Sequence, residues 1–290
     1  MIERYLIRYF LAVVDSGNFS RAAAEVAVSQ PTLSVGIGRL EELLGARLFQ
    51  RSNREVRLTE AGSRLLAHAR AIEKEFNLAA AQVAGRQAAR RIRLGVLATL
   101  PSRWLAMILD AHARAGGIDH LELVEGNERA LATRLERGRI DLAITLRRSG
   151  STRFAHESLL VERYAAILPA QHRLARMPSI EGAALRDETM IVRRHCEALA
   201  ETSRYFIERS VRPRFSLRTT SDDRALALIA AGGGVTVMPM GFGGGPVAAV
   251  PLEGFELARD IGIQFARHAD DLHADPVVAT LRDLFGRLAG

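Results

Sequence analysis

The chain has 290 residues, 48% hydrophobic and 25% charged, which excludes a disordered or collagen-like polypeptide and suggests about two domains. Of its 40 basic residues only Lys74 is lysine, and 33 acidic residues leave a net charge of +7, so cationic contacts fall to arginine, whose planar fork suits phosphate and carboxylate. The lone cysteine, Cys196, excludes an intramolecular disulfide and any CxxC zinc site. Glu3, Arg4, Arg8 and Asp15 interrupt any leader-like apolar run. The uncharged stretch 225–252 is long enough to span a bilayer, but its seven glycines and three prolines rule out one continuous helix. A cytoplasmic protein without a membrane segment is expected. Residues 1–91 carry 14 Lys/Arg against 9 Asp/Glu, and residues 92–290 carry 26 against 24. The basic end therefore suits an anionic polymer.

Ile2, Leu6, Tyr9, Phe10 and Val13 recur at helical spacing and predict a first helix over 2–15. Ser16-Gly17-Asn18 breaks it, and Ser20 is placed to cap a second helix through Ala27, with Ala22, Ala23 and Val26 inward. Ser29 or Gln30 then caps a third helix, with Pro31 in its first turn, where a missing N–H costs nothing. Leu33, Ile37, Leu40 and Leu44 form its inner stripe, and Gly45 ends it. Two helices joined by so short a turn have the form of a helix-turn-helix. An α-helix fills the DNA major groove and its first residues reach base edges. Gln30 can pair with adenine, Thr32 and Ser34 with bases or phosphates, and Val35 with a thymine methyl. Residues 48–51 and 56–58 read as a hairpin wing around Ser52-Asn53-Arg54-Glu55, its arginines suited to phosphates or a minor groove.

Thr59 caps a long helix to about Gln87, with Leu65, Ala69, Ile72, Phe76, Ala79 and Val83 spaced alternately by four and three. That is a coiled-coil register. It serves either a second copy of the chain or packing on its own domain. Residues 88–91 form a hinge. From Ile92 strands and helices alternate: strands at 92–97, 121–124 and 141–144 with helices over 104–115 and 128–137, then strands at 164–168, 190–192, 215–218 and 235–238 with helices over 197–210 and 222–231. The last helix, 276–288, returns to the first set. The alternation predicts a mostly parallel sheet with helices on both faces, in two subdomains. A ligand cleft is expected at the strand ends. Thr99 and Ser102, between the first strand and its helix, can hold a carboxylate there. Ser221 caps the helix opposite, though Asp222 and Asp223 repel an anion. Arg193, Arg194 and His195 follow a strand and can restore an anion site.

The run from Tyr9-Phe10 through Gly17-Asn18-Phe19-Ser20-Arg21-Ala22-Ala23, Val28-Ser29-Gln30-Pro31-Thr32-Leu33-Ser34 and Arg39-Leu40-Glu41-Glu42-Leu43-Leu44-Gly45-Ala46-Arg47-Leu48-Phe49 to Leu58-Thr59-Glu60-Ala61-Gly62 closely resembles the LysR-type transcriptional regulators. The strings Gly138-Arg139-Ile140-Asp141-Leu142-Ala143-Ile144 and Ala230-Ala231-Gly232-Gly233-Gly234-Val235-Thr236-Val237-Met238-Pro239 resemble that family's effector domain, which has a periplasmic-binding-protein-like fold. The resemblance implies an α/β protein with a winged helix-turn-helix over 1–58, a linker and dimerisation helix with hinge over 59–91, and an effector domain over 92–290. The effector domain divides into subdomain I (about 92–161 and 268–290) and subdomain II (about 162–267). It implies operator DNA and a small-molecule effector as partners, a homodimer through the linker helix, a homotetramer and contact with RNA polymerase. By motif match, Gln30, Pro31, Ser34 and Val35 read bases, while Arg21, Thr32, Arg51 and Arg54 hold the DNA backbone. Where the family commonly places a basic and a polar residue after the serine, this chain has Val35 and Gly36, then Gly38. Two glycines within a helix cost about 1 kcal/mol each, and the missing arginine shifts operator reading toward thymine methyls and DNA shape.

His195-Cys196 also looks like the peroxide-sensing branch of the family. Arg193 and Arg194 are placed to lower the thiol pKa. With no second cysteine, and Tyr205 about where a resolving partner stands, two readings remain: a single-thiol sulfenate sensor or an inert buried thiol. No GxSxG, HExxH, Walker A or SxxK signature occurs, and the histidines lack metal-ligand spacing. No cofactor, metal or catalytic role is expected. The competing readings are a ligand-binding module whose basic end serves a protein partner, and an enzyme.

Overall fold

The computed structural model describes residues 1–51, 56–84, 90–116, 119–148 and 154–289. The chain opens with α1 (Arg4–Ser16), α2 (Phe19–Glu25) and α3 (Gln30–Leu44), followed by the antiparallel pair β1 (Phe49–Arg51) and β2 (Val56–Leu58). Leu6, Phe10, Val13, Leu33, Ile37 and Leu40 are buried together, joined by Leu48 and Phe49 from the wing. The cap of α2 is Asn18, not Ser20: its Oδ1 accepts from the N–H groups of Ser20 and Arg21 at 2.9 and 3.1 Å. The amide oxygen reaches two orphan donors from a position two residues before the serine. Ser29 caps α3, its Oγ accepting from Thr32 N at 3.2 Å. Leu44, expected inside, is 37% exposed, because the helix ends at Gly45 beyond the edge of the core. Buried Glu41 replaces it as the anchor at that end. Its carboxylate accepts from Leu48 N at 2.8 Å and from Arg47 Nη1 at 2.9 Å, fixing the entry to the wing.

The two glycines of α3 differ. A Cβ at Gly36 would stand 2.6 Å from Tyr9 Cδ2, whereas at Gly38 it would meet nothing within 4 Å. Gly36 is the close approach of α3 to α1; Gly38 leaves an open helix face. Gly38→Ala should raise stability by about 1 kcal/mol. Gly36→Ala should lower it by about 1–3 kcal/mol through overpacking. Urea denaturation checks both, and equal effects at the two sites would contradict the packing.

Thr59 caps α4 (Glu60–Val83) through Gly62 N at 3.0 Å. Leu66 and Ala69 sink into the first core, while Ile72, Phe76 and Val83 are 38%, 47% and 91% exposed. The register is thus divided: its first part packs on the head and its later part faces outward.

Beyond α4 come β3 (Arg91–Leu97), α5 (Ser102–Arg114), β4 (His120–Gly126), α6 (Glu128–Glu136) and β5 (Leu142–Leu146). Next are β6 (His156–Pro169), β7 (Thr189–Arg193), α7 (Leu199–Glu208), β8 (Arg214–Thr219), α8 (Asp222–Ala230) and β9 (Thr236–Pro239). The chain ends with β10 (Val247–Pro251), β11 (Ala258–Phe265) and α9 (Pro276–Ala289). The sheet is mixed rather than mostly parallel. Strand order is β10-β6-β11-β5-β3-β4, with β9 also on β6. Between the strands named here, β3 with β4 and β5, and β7 with β8, run parallel, while every pairing of β6 and β11 among the described residues is antiparallel. The long β6 serves both halves, pairing with β11 at its start and with β9 and β10 at its end. Ile261, Ile263 and Phe265, assigned by sequence to subdomain II, pack in the first effector-domain core beside Trp104, Leu142 and Phe285. The reason is β11, which adds to β5 and closes the first subdomain's sheet.

Candidate functional site

Two surfaces stand out. At the head, the start of α3 faces solvent: Gln30, Pro31 and Thr32 are exposed and Val35 is 72% exposed. Ser34 is half-buried. Arg39 is drawn back toward α1, donating to Glu3 Oε1 at 3.0 Å. Arg21 donates to Ser16 O at 2.8 Å, on the same exposed side as the α2 N-terminus. Arg51 lies in β1, and Arg54 falls outside the described residues.

The second surface lies between the subdomains, where the β3–α5 turn meets the segment after β7 and the start of α8. Thr99 is buried and its hydroxyl donates to Glu197 Oε1 at 3.3 Å. Ser102 donates to both oxygens of Asp223 at 2.8 Å. Arg103 reaches across to the carbonyls of Gly241 and Gly243, the latter at 2.7 Å. At the centre Arg259 donates to Glu162 Oε1 at 2.9 Å, Glu197 Oε1 at 2.7 Å and Thr99 O at 3.0 Å. The remaining Glu162 oxygen accepts Gly241 N at 2.7 Å. Burial pulls the Glu197 carboxyl upward, but the Arg259 charge, its own backbone N–H and the bond from Arg259 outweigh this, holding it below the usual range. Tyr164 beside it is pushed up, first by burial and then by the Glu197 charge. The corner suited to a ligand carboxylate thus holds one of the chain's own.

Comparison with known families decides what the two surfaces belong to. Residues 5–63 match the bacterial regulatory helix-turn-helix of the lysR family, and residues 85–288 match the LysR substrate binding domain. The chain belongs to the LysR-type transcriptional regulators. It is 30% identical over 251 residues to the HTH-type transcriptional regulator YnfL of Escherichia coli (strain K12), covering 83% of each chain. It is 27% identical over 236 residues to the hydrogen peroxide-inducible genes activator of Dickeya chrysanthemi, covering 80% of this chain and 77% of that one. Its fold matches full-length OxyR from Pseudomonas aeruginosa, a cysteine-to-aspartate variant, with a TM-score of 0.65 at 23% identity, over 100% of this chain and 96% of the other. A LysR-type regulator binds DNA through its helix-turn-helix and an effector through its substrate-binding domain; it is not an enzyme. Among the described residues no helix is long and apolar enough to cross a membrane.

Within this regulator the expected effector contacts divide. Thr99 and Ser102 bond across to Glu197 and Asp223, and Ser221 Oγ caps α8 through Arg224 N at 3.2 Å. Arg193 is corrected. It is 2% exposed and donates to both oxygens of Asp222 at 2.5 and 2.6 Å, so it neutralises an internal carboxylate instead of waiting for an anion. His195 Nε2 lies 3.6 Å from the same carboxylate, and Arg194 is exposed. The expectation of a lowered thiol pKa at Cys196 is also corrected. Burial pushes it up, Arg193 offsets this only in part, and Glu197 and Asp222 push it further. Sequence reading missed Glu162, Glu197 and Arg259 altogether. The one signal available was Arg259, a charged residue at the start of the apolar run of β11.

Proposed function

We propose that this regulator reads its operator as a dimer paired through the outward face of α4, and answers to a small-molecule effector held between its subdomains. The exposed start of α3, with Val35 uncovered beside the open face at Gly38, supports the reading most directly. Gln30, Pro31, Ser34 and Val35 then read base edges, while Arg21, Thr32, Arg51 and Arg54 hold phosphates. Ile72, Phe76 and Val83 supply the apolar seam between two copies of α4, which sets the recognition helices a whole number of turns apart. The domain limits that go with this are 1–58, 59–91 and 92–290. Assembly to a homotetramer, contact with RNA polymerase and a cytoplasmic location complete the proposal.

For the effector, Thr99, Ser102, Arg194, His195 and Ser221 are the proposed contacts. A ligand there must compete with Glu197 and Asp223 for the hydroxyls of Thr99 and Ser102. By binding one degree of closure better than another it shifts the setting of the heads on DNA. The decisive experiment is footprinting on genomic DNA upstream of the chain's own coding sequence, followed by titration of the protected site. Gln30→Ala should weaken operator binding by about 1–3 kcal/mol and leave random DNA unaffected. Replacing core thymines by uracil should weaken the wild type and leave Val35→Ala indifferent. Retention of full affinity by both variants would remove α3 from the groove.

A further inference from the structure

We propose a second ligand site between α7 and the β7–β8 pair, lined by none of Thr99, Ser102, Glu162 or Arg259 of the subdomain cleft and shaped for an organic monocarboxylate with an apolar body. A cavity of 480 Å³ opens between α7 and the strands β7 and β8, within the usual size of small-molecule sites. Met190, Phe206, Val211 and Val237 form its apolar walls. Phe215 and Ile207 stand at its mouth, 53% and 73% exposed. Large side chains of this kind are left in water where something else is to cover them.

The charges around the cavity select the ligand. Arg212 and Arg218 line it, and among the described residues no aspartate or glutamate does. Arg212 and Arg218 are exposed and have no carboxylate partner among the described residues; Arg218 lies over the Phe215 ring at 5.5 Å. This contrasts with the cleft, where Arg259 and Arg193 are each engaged by carboxylates. An apolar slot with a guanidinium rim repels cations and gains nothing from a polar sugar-like ligand. It fits a molecule whose hydrocarbon enters and whose carboxylate stays at the rim, where arginine meets it as a fork.

The site also has a route to the regulatory cleft. Its floor is Arg193 and Cys196. Arg193 donates to Cys196 Sγ at 3.3 Å and to Asp222, and Glu197, the next residue along, is the carboxylate that closes the cleft onto Arg259 and Thr99. A body wedged between α7 and β8 braces the segment that carries Glu197. This coupling is independent of how the cleft effector is identified.

Decanoate is the probe, with 1-decanol as its uncharged counterpart, in equilibrium dialysis against the full chain. The wild type should hold decanoate more tightly than decanol. Arg212→Gln with Arg218→Gln should weaken decanoate by about tenfold or more and leave decanol unchanged. Ser203→Trp, a solvent-side change on α7 that plugs the slot, should weaken both, with the far-UV spectrum showing that α7 is retained. Ser102→Ala, in the cleft, should change neither. Failure of the wild type to bind decanoate, binding unaltered in the double arginine variant, or binding lost in Ser102→Ala would each overturn the site.

Discussion

Arg259→Met is expected to destabilise the effector domain by about 3–5 kcal/mol at neutral pH, because it leaves two buried carboxylates without their shared cation. The Arg259 side chain is 3% exposed, and those of Glu162 and Glu197 are 6% and 15% exposed. The sign of the pH dependence separates this cause from a simple packing defect. In the wild type, Glu197 is held below the ordinary carboxylate range despite its burial. Its contribution is therefore present above the unfolded value of about 4.3 and lost as pH falls through the folded value. In Arg259→Met the burial of Glu197 loses its main opposing charge and pushes that carboxyl up. A raised carboxyl costs stability as pH rises above the unfolded value and nothing once it is protonated. The gap between wild type and variant should be widest at pH 7 and should narrow toward pH 4.5 in urea denaturation. Adding Glu197→Gln should recover part of the loss at pH 7. A gap of constant size at both pH values would mean that the lost methylenes and cavity, not the charge, set the cost.

That centre was also the part of the molecule least legible beforehand. Arg259 and Glu162 are 97 residues apart, and Arg259 and Glu197 are 62 apart. Nothing in the local spacing of either partner announces the other. The head was readable because its signals are local. Ser29 and Pro31 mark the start of α3, Gly45 its end and Thr59 the start of α4, all within a turn of the backbone groups they satisfy. The miss at Asn18 was one of two residues, since Asn and Ser both make good caps and only the chain direction chooses between them. In the effector domain the strands next to α5, α6 and α8 were read from apolar runs. β11 was not, because Arg259 and Asp260 break its pattern. Without β11 the sheet looked parallel, because the antiparallel pairings run through β6 and β11. Cys196 shows the same limit. Neighbouring arginines were visible in the sequence, but burial, which outweighs them, was not.

Asp15→Ala should release the head from the effector domain. Asp15, near the end of α1, accepts from Arg70 of α4 at 2.9 Å and from Arg93 of β3 at 2.5 Å. Arg70 also donates to Gly138 O at 2.5 Å, and Arg93 N donates to Asp141, whose other oxygen lies 3.0 Å from His268 Nε2. The fit around these bonds is close: a Cβ at Gly138 would collide with Leu66, and one at Gly17 with the Arg139 guanidinium. Without Asp15 two partly buried guanidiniums face each other, Arg70 held by the Gly138 carbonyl and Arg93 left with the more distant Glu122 at 4.0 Å. The loss should be about 1–3 kcal/mol, below the cost at a fully buried pair because solvent screens part of it. Asp15→Asn, which keeps an acceptor but not the charge, should lie between. Acid should act in the same direction on the wild type. Burial, with help from the Arg70 and Arg93 charges, holds His268 below its ordinary value against the pull of Asp141. A depressed histidine contributes stability above the unfolded value of about 6.5, and this is lost as pH falls through the folded value. Small-angle scattering on the full chain should therefore show a larger radius of gyration for Asp15→Ala at pH 7. The wild type should move toward that value as pH falls below about 6.5, and His268→Gln should blunt the movement. An unchanged radius in Asp15→Ala would mean that the apolar contacts of Leu66 hold the head by themselves, and that the ion pairs follow the docking rather than cause it.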